Sequence, residues 1–358
     1  MMSVIDRSWF DECRDYYLER SEFVRYQKVA GVDFRDLFSD DLKAVDRAQR
    51  RIAEQSVVVN EVRKEHAGFG MPFIAYTHDL GFGDSLPGHC EELDRLILAE
   101  DMTDSLRRRH IALSHALLPA QLKELYRDFG EQPLTVLNLG SGVGLDVINA
   151  LQACDGLVAR ALNYDINRAA LSFGRLLTAT LVEEGRFPAG VSEYRRGSLM
   201  KCREQGHLAL LVGIICGLED DAALAVLRRV YDMLHPGGRL LVTSSNFRML
   251  CHSPLASFII QHIGSVGEPQ RHWGLNCRSR EAMSALVAGA GFTELLLCDD
   301  HNFPGRDELP GEVLEGVDAL PSRILGQGHS GRPLVLPGAE VRRRREGYNW
   351  LVVAEKPA

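Results

Sequence analysis

The sequence predicts an α/β fold: a largely parallel sheet covered by helices on both faces and preceded by a helical cap. Residues 134–146, Leu-Thr-Val-Leu-Asn-Leu-Gly-Ser-Gly-Val-Gly-Leu-Asp, run a short apolar stretch into three glycines at spacing two, and a helical pattern follows. From about residue 134 onward strand-like and helix-like patterns alternate, the order that builds a parallel sheet. Leu208–Cys216 is continuously apolar, as a central strand buried on both faces must be. The first 130 residues differ, with helical periodicity and many charges, interrupted around Gly68–Pro72 and Gly81–Gly83. Their aromatics Trp9, Phe10, Tyr16, Tyr17, Phe23 and Tyr26 recur at near-helical spacing and read as core. Residues 1–130 are therefore taken as a substrate-enclosing cap, and 131–358 as the ligand-binding domain.

Each element of the second region has its own signal. Leu134–Leu139 forms the first strand, and the helix after it runs to about Ala153. Val158–Tyr164 is the second strand, with Asp165 at its end, and Asn167–Glu183 is a long amphipathic helix. Val191–Arg196 is the third strand, followed by Gly197-Ser198-Leu199; Leu208–Cys216 is the fourth. Asp221–Leu234 is a helix stopped by Pro236-Gly237-Gly238, which cannot continue helical hydrogen bonding. Arg239–Ser244 is the fifth strand. Ser279 caps a helix that ends at Gly291, before the strand Thr293–Leu297, and Tyr348–Ala354 is the last strand. The Gly/Pro-rich insertion at about 299–346 fits a lid, an assembly element or a disordered segment.

The glycine turn lets backbone approach a nucleotide-like ligand closely, and its spacing is tighter than the dinucleotide pattern G-x-G-x-x-G. Asp165 is placed to accept from both ribose hydroxyls of such a ligand, and it also fits the N-cap of the following helix. Ser198 can offer its hydroxyl to an adenine edge, with Leu199 and Ile166 as apolar faces; a plain turn is the other reading. A formal net charge of −8 over 358 residues argues against a nucleic-acid surface and leaves a small molecule as the expected partner. The basic runs Arg107–Arg109 and Arg342–Arg345 read as solvated or acid-paired faces. The eight cysteines are scattered, with no C-x-x-C pair and no metal-ligand cluster, which fits the reducing cytoplasm. No secretory signal is visible, and the longest apolar run, Leu208–Leu218, is short of the roughly 20 residues that span a bilayer, so no membrane is expected.

Leu137-Asn138-Leu139-Gly140-Ser141-Gly142-Val143-Gly144, Asn163-Tyr164-Asp165 and the run Tyr231–Val242 around Pro236-Gly237-Gly238 resemble class I S-adenosylmethionine-dependent methyltransferases. The resemblance covers about residues 134–298 and the terminal strand, and implies a Rossmann-like sheet of seven strands whose last strand inserts antiparallel. It further implies that Gly140, Ser141, Gly142 and Gly144 border the methionine part of S-adenosylmethionine, Asp165 its ribose, and Ile166, Ser198 and Leu199 its adenine. Gly213, in the segment that ends the fourth strand, would face the sulfonium and the acceptor. A narrower similarity, in Gly217–Asp221 and Arg278–Met283, is to bacterial methyltransferases linked to fatty-acid methyl ester signals. No Asn-Pro-Pro-Tyr or Asp-Pro-Pro-Tyr follows the fourth strand, which disfavours amino-methylation of adenine or glutamine.

Methyl transfer asks for in-line alignment and, for an oxygen or nitrogen acceptor, a base. His252, His272, Glu219 and Asp220 are base candidates after the fourth and fifth strands, with Tyr76 and His78 in the cap. Asn138 stands where the family carries an acidic residue beside the cofactor's α-ammonium, and an amide removes the charge that holds that amine protonated. A neutral amine could attack the γ-carbon of the same molecule, releasing methylthioadenosine and closing a four-membered ring. Such a cyclase, similar to the azetidine-2-carboxylate synthases, is the alternative to a small-molecule methyltransferase of specialised metabolism. A non-catalytic partner subunit is the third reading, against which the complete glycine motif and Asp165 both argue.

Overall fold

A computed structural model of the protein describes residues 27–33, 36, 41–63, 70–82, 85–154, 156–246, 276–311, 313 and 347–358. Its sheet contains β1 (Leu134–Leu139), β2 (Val158–Asp165), β3 (Ser192–Arg196), β4 (Gly206–Leu211), β5 (Leu234–Ser245), β6 (Thr293–Asp299) and β7 (Asn349–Glu355). Their order is β3-β2-β1-β4-β5-β7-β6. Pairings from β3 through β5 are parallel, whereas β7 runs antiparallel to both β5 and β6. This is the Rossmann-like seven-stranded arrangement that the resemblance implies. The strand order reverses between β1 and β4, and ligands of open parallel sheets bind beyond the carboxyl ends of strands at such a point.

Local sequence explains where elements begin. The helix Leu145–Gln152 follows Gly144, whose φ of 86° is left-handed. The helix Arg168–Glu183 is capped by Asn167, whose side chain accepts from Ala170 N. Asp165 is therefore not that cap; it lies two residues earlier and accepts from Asn167 N at 2.7 Å. Ser279 caps Arg280–Gly289 as expected, accepting from Ala282 N.

Two strand limits move. The fourth strand stops at Leu211 rather than Cys216, because Gly213 takes φ +70° and the chain turns into a 3-10 segment, Ile215–Gly217. Ile215 and Cys216 are buried there, so the apolar run outlasts the strand. The fifth strand begins at Leu234, five residues early. The helix Asp220–Met233 does end before Pro236, but Pro236-Gly237-Gly238 then enters the strand as an irregularity: Leu234 pairs with Gly206 and Arg239 with Leu208. Proline and glycine are tolerated in a strand at such bulges.

Among the described residues, contacts divide the chain into two units, one up to Asp104 and the other from Ser105 onward. The helix Asp101–Ile111, a π-helical turn at Ala112–Leu117 and the helix Leu118–Asp128 lead into the sheet. From Ser105 onward they belong with it. Arg239 binds Gln121 Oε1 at 2.7 Å and Asp128 Oδ2 at 3.1 Å, and also Glu124, so one cation on β5 holds that last helix.

The N-terminal unit is helical where it is described, with helices Leu42–Ala53, Val57–Arg63, Gly70–Thr77 and Glu91–Leu98. Ile52, Val59, Phe73, Ile74 and Leu93 form its core. The interruption near Pro72 becomes a helix start, with Pro72 in the first turn, where its missing N–H removes no helical bond. Buried Asp94 accepts from Ser56 Oγ at 2.5 Å and from Val57 and Val58 N, closing the start of Val57–Arg63 from a remote helix. Trp9, Phe10, Tyr16, Tyr17, Phe23 and Tyr26 lie outside the described residues, as do Arg342–Arg345 and residues 314–346 of the insertion.

Candidate functional site

The glycine turn is built at the carboxyl end of β1. Gly140 and Ser141 donate their N–H groups to Tyr164 O at 2.7 and 3.2 Å, and Gly144 donates to Ser141 O at 2.8 Å. Gly140, Gly142 and Gly144 all have positive φ, of 71°, 53° and 86°. Each glycine answers a different need. A methyl group at Gly140 would overlap Ile214 Cδ1, and one at Gly144 would stand 2.7 Å from Asn163 Oδ1, whereas one at Gly142 would enter open space. Among the described residues, Gly142 is the one of the three whose side-chain direction meets nothing.

Asp165 ties this turn to β2. Its Oδ2 accepts from Gly142 N and its Oδ1 from Asn167 N, both at 2.7 Å. A carboxylate oxygen offers two lone pairs, so each keeps one for a ligand donor. Beside Asp165, Ile166 is 50% exposed, and Met200, next to Leu199, is 45% exposed; large apolar side chains left open at strand ends are available to a flat ligand face. Ser198 precedes the 3-10 segment Leu199–Lys201 and its hydroxyl makes no capping bond.

Asn138 is buried on β1 and paired in register with Asn163 on β2. Its Nδ2 donates to Asn163 Oδ1 at 2.9 Å, and Asn163 Nδ2 donates to Ser192 Oγ at 2.9 Å. The amide is oriented by a neutral ladder that crosses three strands. Its Oδ1 accepts from no described residue.

Across β4 the environment becomes ionic. Gly213 N donates to Thr243 Oγ1 at 2.9 Å, and the buried Arg109 guanidinium stands 3.6 Å from where a Gly213 side chain would begin. Arg109 Nη1 donates to Asn349 Oδ1 at 3.4 Å, and Asn349 Nδ2 reaches Ser105 Oγ and Asp300 Oδ2. Burial pushes the Asp300 carboxyl up, against the opposing pull of Ser105, Arg108 and Asn349. Burial likewise raises the Cys216 thiol, which Arg109 and Arg278 partly offset.

Beside the glycine turn lies a cluster that sequence reasoning missed. His110, 1% exposed, binds Asp146 Oδ1 through Nδ1 at 2.5 Å and Asn149 Nδ2 through Nε2 at 3.1 Å, and Ser114 Oγ lies 3.2 Å from Nδ1. Asp146 is two residues past Gly144, and its Oδ2 accepts from no described residue. Helical spacing of His110 and Ser114 was the available sequence signal, but Asp146 is 36 positions away from His110. The π turn that holds Ser114 is a rare form, frequent at functional sites.

The remaining expected residues scatter. Tyr76 and His78 belong to the N-terminal unit, where both are buried and His78 ends its helix at a left-handed φ of 52°. Asp220 is committed to an ion pair with Arg278 at 3.0 Å. Glu219 precedes the helix Asp220–Met233 and makes no capping bond. His252 and His272 lie outside the described residues. Among the described residues no group of three or more His, Cys, Asp or Glu is placed to hold a metal ion, and no helix is long and apolar enough to cross a membrane.

These residues fit an adenosyl amino acid. Open space at Gly142, the lone pairs left on Asp165, exposed Ile166 and Asp146 Oδ2 would offer such a ligand a close-approach surface, a diol acceptor, a ring face and a counter-charge.

Comparison with known proteins gives the same class. A family profile described as "Putative methyltransferase" matches residues 93–301, more than half of the chain. No curated protein matches the chain. Among solved structures, a possible exported protein from Bordetella parapertussis is 17% identical with a TM-score of 0.52, covering 94% of this chain and 96% of that one. The pyocyanin biosynthetic protein PhzM is 17% identical with a TM-score of 0.39; the match covers 75% of this chain and only 59% of that one. Magnesium protoporphyrin IX methyltransferase from Synechocystis PCC 6803, with bound S-adenosylmethionine, is 11% identical with a TM-score of 0.41, covering 77% of this chain and 88% of that one.

Proposed function

This chain belongs to that methyltransferase family, of the class I enzymes that use S-adenosylmethionine, and on that premise we propose that its acceptor is a small molecule of specialised metabolism. The observation that carries the reading is Asp165, whose Oδ2 secures the glycine turn and whose Oδ1 secures the start of the next helix, so that each oxygen would keep one lone pair for a ribose diol. The net charge of −8 favours a small acceptor over a nucleic acid. The described cysteines are free thiols, in keeping with a reducing cytoplasm.

When bound, the cofactor supplies an electrophilic methyl group on a sulfonium. Gly140, Ser141, Gly142 and Gly144 would hold its methionine end, Asp165 its ribose, and Ile166, Ser198 and Leu199 its adenine. Gly213 would border the reacting end. Asn138 Oδ1 would accept from the α-amine, with Asp146 Oδ2 as the nearby carboxylate that keeps it charged. A carboxylate acceptor would need no base.

Asn138, which brings no charge of its own to the amine, is the basis of the second reading, in which the amine of the cofactor closes on its own chain; the Asp146 carboxylate opposes it. Incubation with S-adenosylmethionine alone, followed by mass spectrometry, separates the two. Methyl transfer predicts no cyclic amino acid above the no-enzyme control, and S-adenosylhomocysteine only when an acceptor is added. Methylthioadenosine together with a cyclic amino acid would overturn it.

A further inference from the structure

Resting on that reading, we propose that Arg278 is a positioning residue for the methionine end of the cofactor, acting through the turn that follows β4. Arg278 is 2% exposed, yet its one carboxylate partner among the described residues, Asp220, has a side chain 53% exposed. A half-solvated ion pair does not by itself repay burying a guanidinium. The fork is instead spent on backbone: Nη1 donates to Ile215 O at 2.8 Å and Nη2 to Leu218 O at 2.6 Å, with Ser244 Oγ at 3.3 Å. These two carbonyls bracket the 3-10 turn Ile215–Gly217.

That turn touches the glycine loop. The residue entering it, Ile214, places its Cδ1 where a side chain on Gly140 would sit, so one wall of the cradle at β1 is provided by the exit of β4. Arg278 is itself fixed from behind. Its N–H donates to Ser245 O at 2.9 Å, and its carbonyl accepts from Trp350 Nε1 at 2.9 Å. A rigid path thus runs from β5 and β7 through the guanidinium to Ile214 and Gly140. Lysine cannot reproduce it, since a single ammonium cannot span both carbonyls in the planar fork.

The test compares two ligands by calorimetry on the full chain: S-adenosylhomocysteine, and 5′-methylthioadenosine, which keeps the adenosine and lacks the amino-acid chain. Arg278→Lys should weaken S-adenosylhomocysteine about tenfold, or about 1.4 kcal/mol, and leave methylthioadenosine within about twofold. Ile214→Ala should reproduce the same selectivity. The double variant should lose no more than the larger single loss, because both act through one contact. Should Arg278→Lys not fold, Trp350→Phe takes its place, with a smaller loss of the same selectivity. Equal weakening of both ligands, no change in either, or additive losses in the double variant would overturn the assignment while leaving the methyltransferase reading intact. A wild-type protein that binds neither ligand removes that reading, and this inference with it.

Discussion

Two buried arginines serve the two ends of β5, and they are used differently. At the amino end, Arg239 is surrounded by Glu124, Asp128 and Glu355, whose side chains are 44%, 54% and 33% exposed. At the carboxyl end, Arg278 spends its donors mainly on loop carbonyls. The first cation fastens a helix and a neighbouring strand, so its partners are charges brought from distant parts of the chain. The second shapes irregular backbone, which has no strand or helix of its own to satisfy its carbonyls. Of these two arginines, the one that pairs mainly with charges fastens the fold, and the one that pairs mainly with backbone shapes the end where the candidate site lies.

The strongest way to break the carboxyl end is Gly140→Ala, which meets both a φ of 71° and the Ile214 side chain. S-adenosylhomocysteine affinity, read by calorimetry, should fall about a hundredfold, or about 2.7 kcal/mol. Arg239→Met attacks the other end. Chemical denaturation should show a stability loss of about 2 kcal/mol, below the cost of orphaning a fully buried charge because its carboxylates can turn to water. Ligand affinity of the folded fraction should stay within about twofold; a larger loss would erase the distinction between the ends. Asp165→Ala should weaken S-adenosylhomocysteine at least about tenfold, or about 1.4 kcal/mol, and an unchanged dissociation constant would remove the ribose contact.

The smallest expected effect sharpens the charge-pairing side of the comparison. Arg160 holds the Glu193 and Glu204 carboxyls below their ordinary value of 4.5, by hydrogen bond first and then by charge. A lowered folded-state value means stability that is complete above the unfolded value and lost as pH falls through the folded one. Glu193→Gln should therefore cost under about 1 kcal/mol at neutral pH, since these groups are partly exposed, and less in molar salt. The urea midpoints of variant and parent should converge in acid. A difference that persists there would mean that packing, not charge, is responsible.

Sequence patterns disclosed whatever depends on neighbouring residues. The glycine turn and the cap at Ser279 follow from local steric and hydrogen-bonding rules, whereas the cap considered at Asp165 lies two residues later, at Asn167. The exit of β4 did not, because Val212–Cys216 stays apolar after the strand ends and a buried turn looks like a buried strand to hydropathy. The attachment of the helix Leu118–Asp128 to the sheet was hidden for another reason: the bonds that attach Gln121, Glu124 and Asp128 to Arg239 join residues more than a hundred positions apart. The same holds for His110 with Asp146, and for Arg278 with the β4 turn. Periodicity reports which face of an element is buried, but it carries no information about which polar groups meet inside.

The antiparallel β7 also affects how the chain must be assembled. β6 is synthesised first, yet its described sheet partner is β7 alone, which inserts between it and β5. Until Asn349–Glu355 has emerged, β5 therefore presents an unpaired edge, and β6 has no place in the sheet. Pairings between remote residues form slowly, and an exposed strand edge invites other chains. A nascent chain paused between these two strands would be at its most aggregation-prone, with the glycine turn already able to form and the sheet still open beside it.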